Sequence, residues 1–112
     1  MTKRIKLMAE YRTFPLWSLD EGGGGPIDPS TLPLTQETIR RLLEWAHKYD
    51  AQLNSSDFNA SQWFSDEEIS RFDEEGIALW LQMQEELGTR YDVWYFSERL
   101  RRLLKHPDEL GS

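Results

Sequence analysis

One stretch of the sequence, residues 66 to 87, constrains the fold more than any other. Its apolar and small residues recur mostly at steps of three or four, the spacing of one helix face, and they are Ile69, Phe72, Gly76, Leu79, Trp80, Met83 and Leu87. Ser65 and Glu68 have the spacing of a capping box before this stretch. Gly88 follows it and predicts the C-cap. The sequence therefore predicts a long amphipathic helix whose apolar face must pack against other elements.

A second long helix is predicted over residues 36 to 53, with Thr35 as its N-cap. Trp45 lies at the edge of its apolar stripe, which consists of Ile39, Leu42, Leu43, Ala46, Tyr49 and Leu53. A short C-terminal helix is predicted over residues 98 to 106, with Ser97 as its cap.

Two segments have the composition of β-strands. Residues 4 to 11 alternate between apolar and polar side chains, and residues 91 to 96 are rich in aromatic and β-branched residues. Because two strands alone are marginally stable, the helices must cover them. We therefore expect a single α+β domain over residues 1 to 110, in which a two-stranded sheet is covered by two long helices and one short helix. The helical connection permits a parallel pair if the strands are adjacent.

Residues 12 to 34 predict a long loop, since they contain four of the five prolines and a run of four glycines. We expect residues 20 to 26 to be flexible. The glycines do not predict a phosphate site, because no Lys or Arg occurs between Arg12 and Arg40. The last two residues, Gly111 and Ser112, are interpreted as a cloning remnant.

The net charge of −7 is concentrated in one part of the chain. Residues 57 to 86 contain nine acidic residues and one arginine. This acidity argues against nucleic acid as a partner and favours a basic protein partner. The chain has no cysteine and no apolar run long enough to span a membrane, so we expect a cytoplasmic protein without a membrane partner.

The first hypothesis for function is an acidic protein-binding module. The most specific form of this hypothesis is an immunity or inhibitor protein. Carboxylates would steer the basic partner, for instance a toxin, and aromatic residues would anchor it. The candidate partner-binding residues are Asp66, Glu67, Asp73, Glu74, Trp63 and Trp45.

Two alternatives remain. The first is a small-ligand-binding protein or a small enzyme with residues 12 to 34 as a lid, for which the candidate pocket residues are Glu10, Trp17, Asp50 and Asn54. The second is a structural subunit or homodimer that uses an exposed edge at residues 91 to 96; the chain itself is expected to be a monomer or a homodimer. No catalytic motif surrounds either histidine. We favour a protein that is not an enzyme, and we expect no cofactor and no metal.

The sequence also resembles a set of small acidic bacterial proteins over roughly residues 5 to 96. The resemblance rests on fold-building residues and contains no catalytic motif. By size and charge these proteins are similar to the immunity proteins that neutralise bacterial toxins, which are often acidic because nuclease toxins are basic. The shared segments are AEYRTFPLW, DPSTLPL, WAHKYDAQLN, FDEEG and ELG.

Overall fold

The computed structural model describes residues 3–10, 13–20, 25–55 and 65–110. Within these ranges, two helices lie on one face of a five-stranded sheet. The elements are β1 (Lys3–Leu7), β2 (Leu16–Ser18), β3 (Gly25–Ile27), α1 (Gln36–Ser55), α2 (Asp66–Leu87), β4 (Tyr91–Ser97) and β5 (Arg102–Leu104), with short 3-10 turns at Pro29–Thr31, Gly88–Arg90 and Pro107–Leu110.

The sheet is mixed, with the strand order β3-β2-β1-β4-β5. β1 and β4 are parallel neighbours, with Ile5 opposite Val93, and the other three pairs are antiparallel. A parallel pair needs a long connection, and here the connection between β1 and β4 includes both helices. The two strands predicted from the sequence are therefore adjacent and parallel at the centre of the sheet, although the first, predicted over residues 4 to 11, ends at Leu7.

The predicted two-stranded sheet is wrong, although the α+β class is correct. The segment from 12 to 34, predicted as a loop, contains β2 and β3. Each of these strands has three residues, which is too short to produce a recognisable alternation. Pro26 also argued against a strand, but β3 is an edge strand, where proline is tolerated. Residues 21 to 24 of the predicted flexible segment lie outside the described residues.

The predicted C-terminal helix at residues 98 to 106 is also wrong. The Ser97 hydroxyl accepts a hydrogen bond from the Leu100 amide at 3.0 Å, as a helix cap would, but the chain makes only one turn. Arg101 has a φ of 57°, in the left-handed region, and the chain reverses there. β5 follows and pairs with β4, with Leu104 opposite Tyr95.

Both long helices begin at capping interactions. The predicted capping box between Ser65 and Glu68 is confirmed at the start of α2. Thr35 is confirmed as the cap of α1, because its hydroxyl accepts the Thr38 amide at 3.2 Å. The Glu86 carboxylate, from the last turn of α2, accepts the Thr35 amide at 2.7 Å. The end of α2 therefore helps to hold the start of α1.

The core lies between the helices and the sheet, and its large aromatic residues are hydrogen-bonded as well as packed. Trp45 stacks on Phe72 with ring centres 4.5 Å apart, and its indole nitrogen donates to the Phe72 carbonyl at 3.0 Å. Trp80 donates to the Val93 carbonyl of β4 at 2.6 Å. The rings therefore fix the position of α2 over β4 as well as filling the space between them.

Gly76 lies at a tight contact of α2 with Tyr95 of β4 and Trp45 of α1. A β-carbon at this position would be 2.4 Å from the Tyr95 hydroxyl oxygen and 2.8 Å from Cζ2 of Trp45. Because Tyr95 and Trp45 are both fully buried, neither ring can move aside without disturbing the core.

The variant Gly76→Ala tests this contact. Alanine normally stabilises a helix interior by roughly 0.5–1 kcal/mol relative to glycine. Here we expect the opposite sign, a loss of about 1–3 kcal/mol in the free energy of unfolding, because the added methyl group overpacks the core. Denaturant unfolding monitored by tryptophan fluorescence measures the change. A variant as stable as the parent, or more stable, would contradict the tight contact.

Candidate functional site

The side of α2 that faces away from the sheet is exposed along its length. Glu67, Arg71, Glu74, Ala78, Leu81 and Glu85 follow one another at steps of three or four residues, and each is exposed. We call these six residues the α2 outer stripe. Glu67 is paired with Arg71. Within the described residues, Glu74 and Glu85 form no ion pair.

Leu81 is the most exposed large apolar side chain of the described residues, at 47%. It lies between Glu74 and Glu85 on the α2 outer stripe, with Ala78 one turn before it. The opposite face of the helix supplies the core, so nothing in the fold requires a leucine at this position. An exposed apolar residue flanked by carboxylates is the arrangement of a small docking anchor with an acidic rim.

The predicted partner-binding residues separate into an exposed and a buried group. Asp66, Glu67 and Glu74 are exposed on α2. Asp73 is 1% exposed and Trp45 is 0% exposed, so neither side chain reaches the surface of this structure. Trp63 lies outside the described residues.

Asp73 is held by a buried hydrogen-bond network. Its carboxylate accepts the Tyr95 hydroxyl at 2.6 Å and the Ser97 hydroxyl at 2.9 Å. Arg99 approaches it from the solvent side, with Nε 3.8 Å from Oδ2. Burial raises the pKa of Tyr95, and the hydrogen bond to Asp73 raises it further, so the hydroxyl keeps its proton and remains a donor. Asp73 therefore joins α2 to β4, and its carboxylate makes its hydrogen bonds inside the protein.

The four candidate pocket residues are only partly brought together. Burial raises the pKa of Tyr49, and the charges of Glu98, Glu10 and Asp50 raise it further, so Glu10 and Asp50 act on the same hydroxyl group. Trp17 is opposite Lys6 on the sheet face away from the helices, and its indole nitrogen donates to the Met8 carbonyl at 3.1 Å. Asn54 lies in α1, but its side chain is outside the described residues.

Glu98 is buried and Tyr49 is half-buried. Burial raises the pKa of Tyr49 to about 12, with Glu98 and Glu10 adding to the effect and Arg101 opposing it. Burial also raises the pKa of Glu98, although its ion pair with Arg101 opposes the shift. Glu98 is thus a carboxyl group that binds its proton more tightly in the folded protein than in water.

The exposed side of α1 carries two shallow depressions that share Leu43 and His47. One, of about 430 Å³, is lined by Thr13, Phe14, Pro26, Leu43, Ala46, His47 and Asp50. The other, of about 530 Å³, is lined by Arg40, Leu43, Glu44, His47 and Lys48. Leu43 is 42% exposed. Lys48 reaches Glu75 of α2 at 2.8 Å, which joins the outer sides of the two helices.

The partner-binding residues predicted from the sequence include acidic side chains of α2 but not Leu81 or Glu85. Leu81 has a sequence signal, because it stands opposite the apolar stripe of the helix, where an ordinary surface helix is polar. The prediction favoured large aromatic residues as anchors. Trp45, the anchor from α1, is a core residue instead.

Across the described parts of the chain, no group of three His, Asp or Glu side chains is arranged to hold a metal ion. Neither α1 nor α2 is apolar enough over its length to cross a membrane. A family model described as Serratia CdiI immunity protein-like matches residues 3–98 of the chain. The comparison with curated proteins finds no match.

The variant Glu98→Gln tests the environment of the buried carboxyl group. Because the folded-state pKa of Glu98 is raised above 4.5, the protonated form stabilises the fold, and this stabilisation is lost as the pH rises through the folded pKa. Glutamine cannot ionise. We therefore expect the free energy of unfolding of Glu98→Gln to increase relative to that of the parent protein between about pH 4 and about pH 7.

Denaturant unfolding at the two pH values gives this difference, and Glu74→Gln, an exposed carboxylate on α2, is the matched control. A relative stability of Glu98→Gln that does not change with pH would show that the carboxyl group is not perturbed in the folded protein.

Proposed function

The chain belongs to the Serratia CdiI immunity protein-like family, and we propose from this premise that it is an immunity protein, which binds a toxin and neutralises it in a complex. The observation that carries the docking site is the α2 outer stripe. It is exposed over its whole length, and its carboxylates Glu74 and Glu85 have no cationic partner within the described residues. Such a surface is complementary to a basic protein.

We place Leu81 at the centre of the contact. Along an α-helix, Glu74 lies about 10 Å before Leu81 and Glu85 about 6 Å after it. The leucine would fill an apolar pocket of the toxin, and the two carboxylates would meet basic residues around that pocket. Asp66 and Glu67, in the first turn of α2, extend the acidic surface towards the N-terminal end of the helix.

One helix face is too small for a stable complex, since a specific interface typically covers about 800 Å² on each partner. The exposed side of α1 supplies the remaining area. It lies beside α2, is joined to it by the Lys48–Glu75 ion pair, and carries Leu43 between two open depressions. We propose that the toxin covers both helices, with Leu81 and Leu43 as the two apolar anchors.

The first test is capture of the toxin from the native host at low salt, with release by a salt step and identification by mass spectrometry. The captured protein should stop growth when it is expressed alone, and growth should return when this chain is co-expressed. The double variant Glu74→Lys with Glu85→Lys is expected to lose both capture and protection, because it replaces the attraction with repulsion.

The matched control is Asp108→Lys with Glu109→Lys, which makes the same change in net charge in the C-terminal 3-10 turn. Because Glu109 caps that turn, the thermal stability of the control must be measured beside its binding. If the two double variants protect equally well against the toxin, the α2 outer stripe is not part of the docking site. Capture of no growth-inhibiting protein, or of one that this chain does not relieve, would argue against an immunity function.

Leu81→Ala separates the anchor from the electrostatic attraction. We expect it to leave the association rate with the captured toxin nearly unchanged and to speed dissociation by about tenfold or more, because a central anchor acts mainly on the lifetime of a complex. Surface plasmon resonance measures both rates. Leu100→Ala, in the turn between β4 and β5 and 37% exposed, is the control. Dissociation rates that are equal in the two variants would show that Leu81 is outside the interface.

A further inference from the structure

The sheet has a second face that the helices do not cover. Both helices pack on the side of Val93 and Tyr95, as the Trp80 and Asp73 hydrogen bonds show for α2 and the contact between the Trp45 and Tyr95 rings shows for α1. Strand register places Lys6 between Trp17 and Trp94 on the opposite side. We call this surface the open sheet face, and its described residues include Arg4, Lys6, Trp17, Trp94, Phe96, Leu103 and Lys105.

The open sheet face combines aromatic rings with positive charge. Arg4 and Lys105 lie over the Trp94 ring, at 5.9 and 5.1 Å from its centre, and Lys6 lies 6.0 Å from the centre of the Trp17 ring. The carboxylate of Asp92 is also on this side and accepts the indole proton of Trp94 at 3.0 Å. Around the two tryptophan rings, three cations therefore stand against the Asp92 carboxylate, although the chain as a whole is acidic. Two more carboxylates lie at the rim of the face, where Asp20 accepts the Arg4 amide and Glu109 accepts the Lys105 amide.

We propose that the open sheet face binds the α2 outer stripe of a second copy of this chain. The cations around the tryptophan rings are opposite in charge to the helix carboxylates, and each surface has apolar groups at its centre: two tryptophans on the sheet, Ala78 and Leu81 on the helix. A sheet covered by helices on one face buries its second face when another helix is laid across it, as in three-layer folds. The second copy would supply that helix.

The dimensions of the two surfaces agree. Glu74 and Glu85 lie about 16 Å apart along the helix. On the sheet, Lys6 and Lys105 are two strands apart, about 10 Å, and Arg4 is about 7 Å from Lys6 along β1. Lysine and arginine side chains are long enough to cover the remaining distance, so both carboxylates can reach a cation while Leu81 lies over the tryptophans.

The geometry of this contact is head-to-tail, because the α2 outer stripe and the open sheet face are two different surfaces, which meet where Leu81, Glu85, Asp92 and Lys105 line one depression of about 550 Å³. A head-to-tail contact that does not close into a ring adds molecules one after another. The contact also occupies the stripe assigned above to the toxin, so self-association and toxin binding would exclude each other. The inference shares that stripe with the proposed function, but self-association is measured without toxin, so the two can fail separately.

Sedimentation velocity of the full chain provides the test. At low salt, we expect the mean sedimentation coefficient to rise with protein concentration, and at high salt we expect a monomer, because the contact is electrostatic. Lys6→Glu, on the sheet, and Glu74→Lys, on the helix, should each abolish the rise. Arg90→Glu makes the same charge change as Lys6→Glu in the turn before β4 and should associate like the parent. Circular dichroism and thermal unfolding of each variant verify that it is folded.

A mixture of the two defective variants identifies the contact. Lys6→Glu keeps an intact helix surface and Glu74→Lys keeps an intact sheet surface, so the mixture should form dimers of about twice the monomer mass at concentrations where neither variant associates alone. Failure of the two folded variants to combine would overturn the proposal. A parent protein that stays monomeric at low salt at every concentration would also overturn it, and the cations would then only shield the tryptophan rings.

A fluorescein-labelled decauridine provides the remaining comparison, because aromatic rings and cations on a sheet can also bind single-stranded RNA. Binding of this probe that Lys6→Glu removes, in a parent protein that does not self-associate, would assign the open sheet face to nucleic acid and overturn the proposal. Absence of probe binding together with dimers in the variant mixture would support it.

Discussion

α2 lies against β4 at a point where neither element has room for another side-chain atom. Gly76 leaves the space that the Tyr95 ring occupies. The Tyr95 hydroxyl donates a hydrogen bond to the buried carboxylate of Asp73, one turn earlier on the same helix. Ser97 donates to that carboxylate from the end of the strand. Helix and strand are therefore held together by close packing at one point and by charge-assisted hydrogen bonds beside it. α1 is positioned in turn, because Trp45 packs on Phe72 and Glu86 holds its first turn.

This arrangement determines what the molecule presents to solvent. Since the glycine side of α2 is turned to the sheet, its acidic residues and Leu81 are turned outwards on a helix whose position is fixed. Since both helices occupy one face of the sheet, the basic and aromatic residues of the other face remain uncovered within the described chain. A protein with a net charge of −7 thus has an acidic helix surface and a sheet surface with basic side chains, and the two meet at the depression lined by Leu81, Glu85, Asp92 and Lys105.

The elements that could be predicted from the sequence are those with strong local signals. α2 begins and ends where its capping box and Gly88 predicted, and Thr35 caps α1. β2, β3 and β5 could not be predicted, because three residues show no periodicity and their pairing depends on distant strands. Ser97 does bind the next turn as a helix cap would, but pairing with β4 outweighs helix formation after Arg101. At the candidate site, composition identified the acidic helix, whereas burial of Asp73 and Trp45 and exposure of Leu81 depend on the three-dimensional packing.

The parallel pairing of β1 with β4 has a consequence for how the chain acquires its structure during synthesis. β1, β2 and β3 are close in sequence and can pair early, but the other edge of β1 must wait for β4, which is translated after both helices. Contacts between such distant segments slow folding, because a long loop must close before the contact forms. Until then, α2 has no strand on which to pack its apolar face. The acidic surface that we assign to toxin binding is therefore held on a fixed helix only late in folding, and newly made chains should reach inhibitory form after a delay set by this one strand pair.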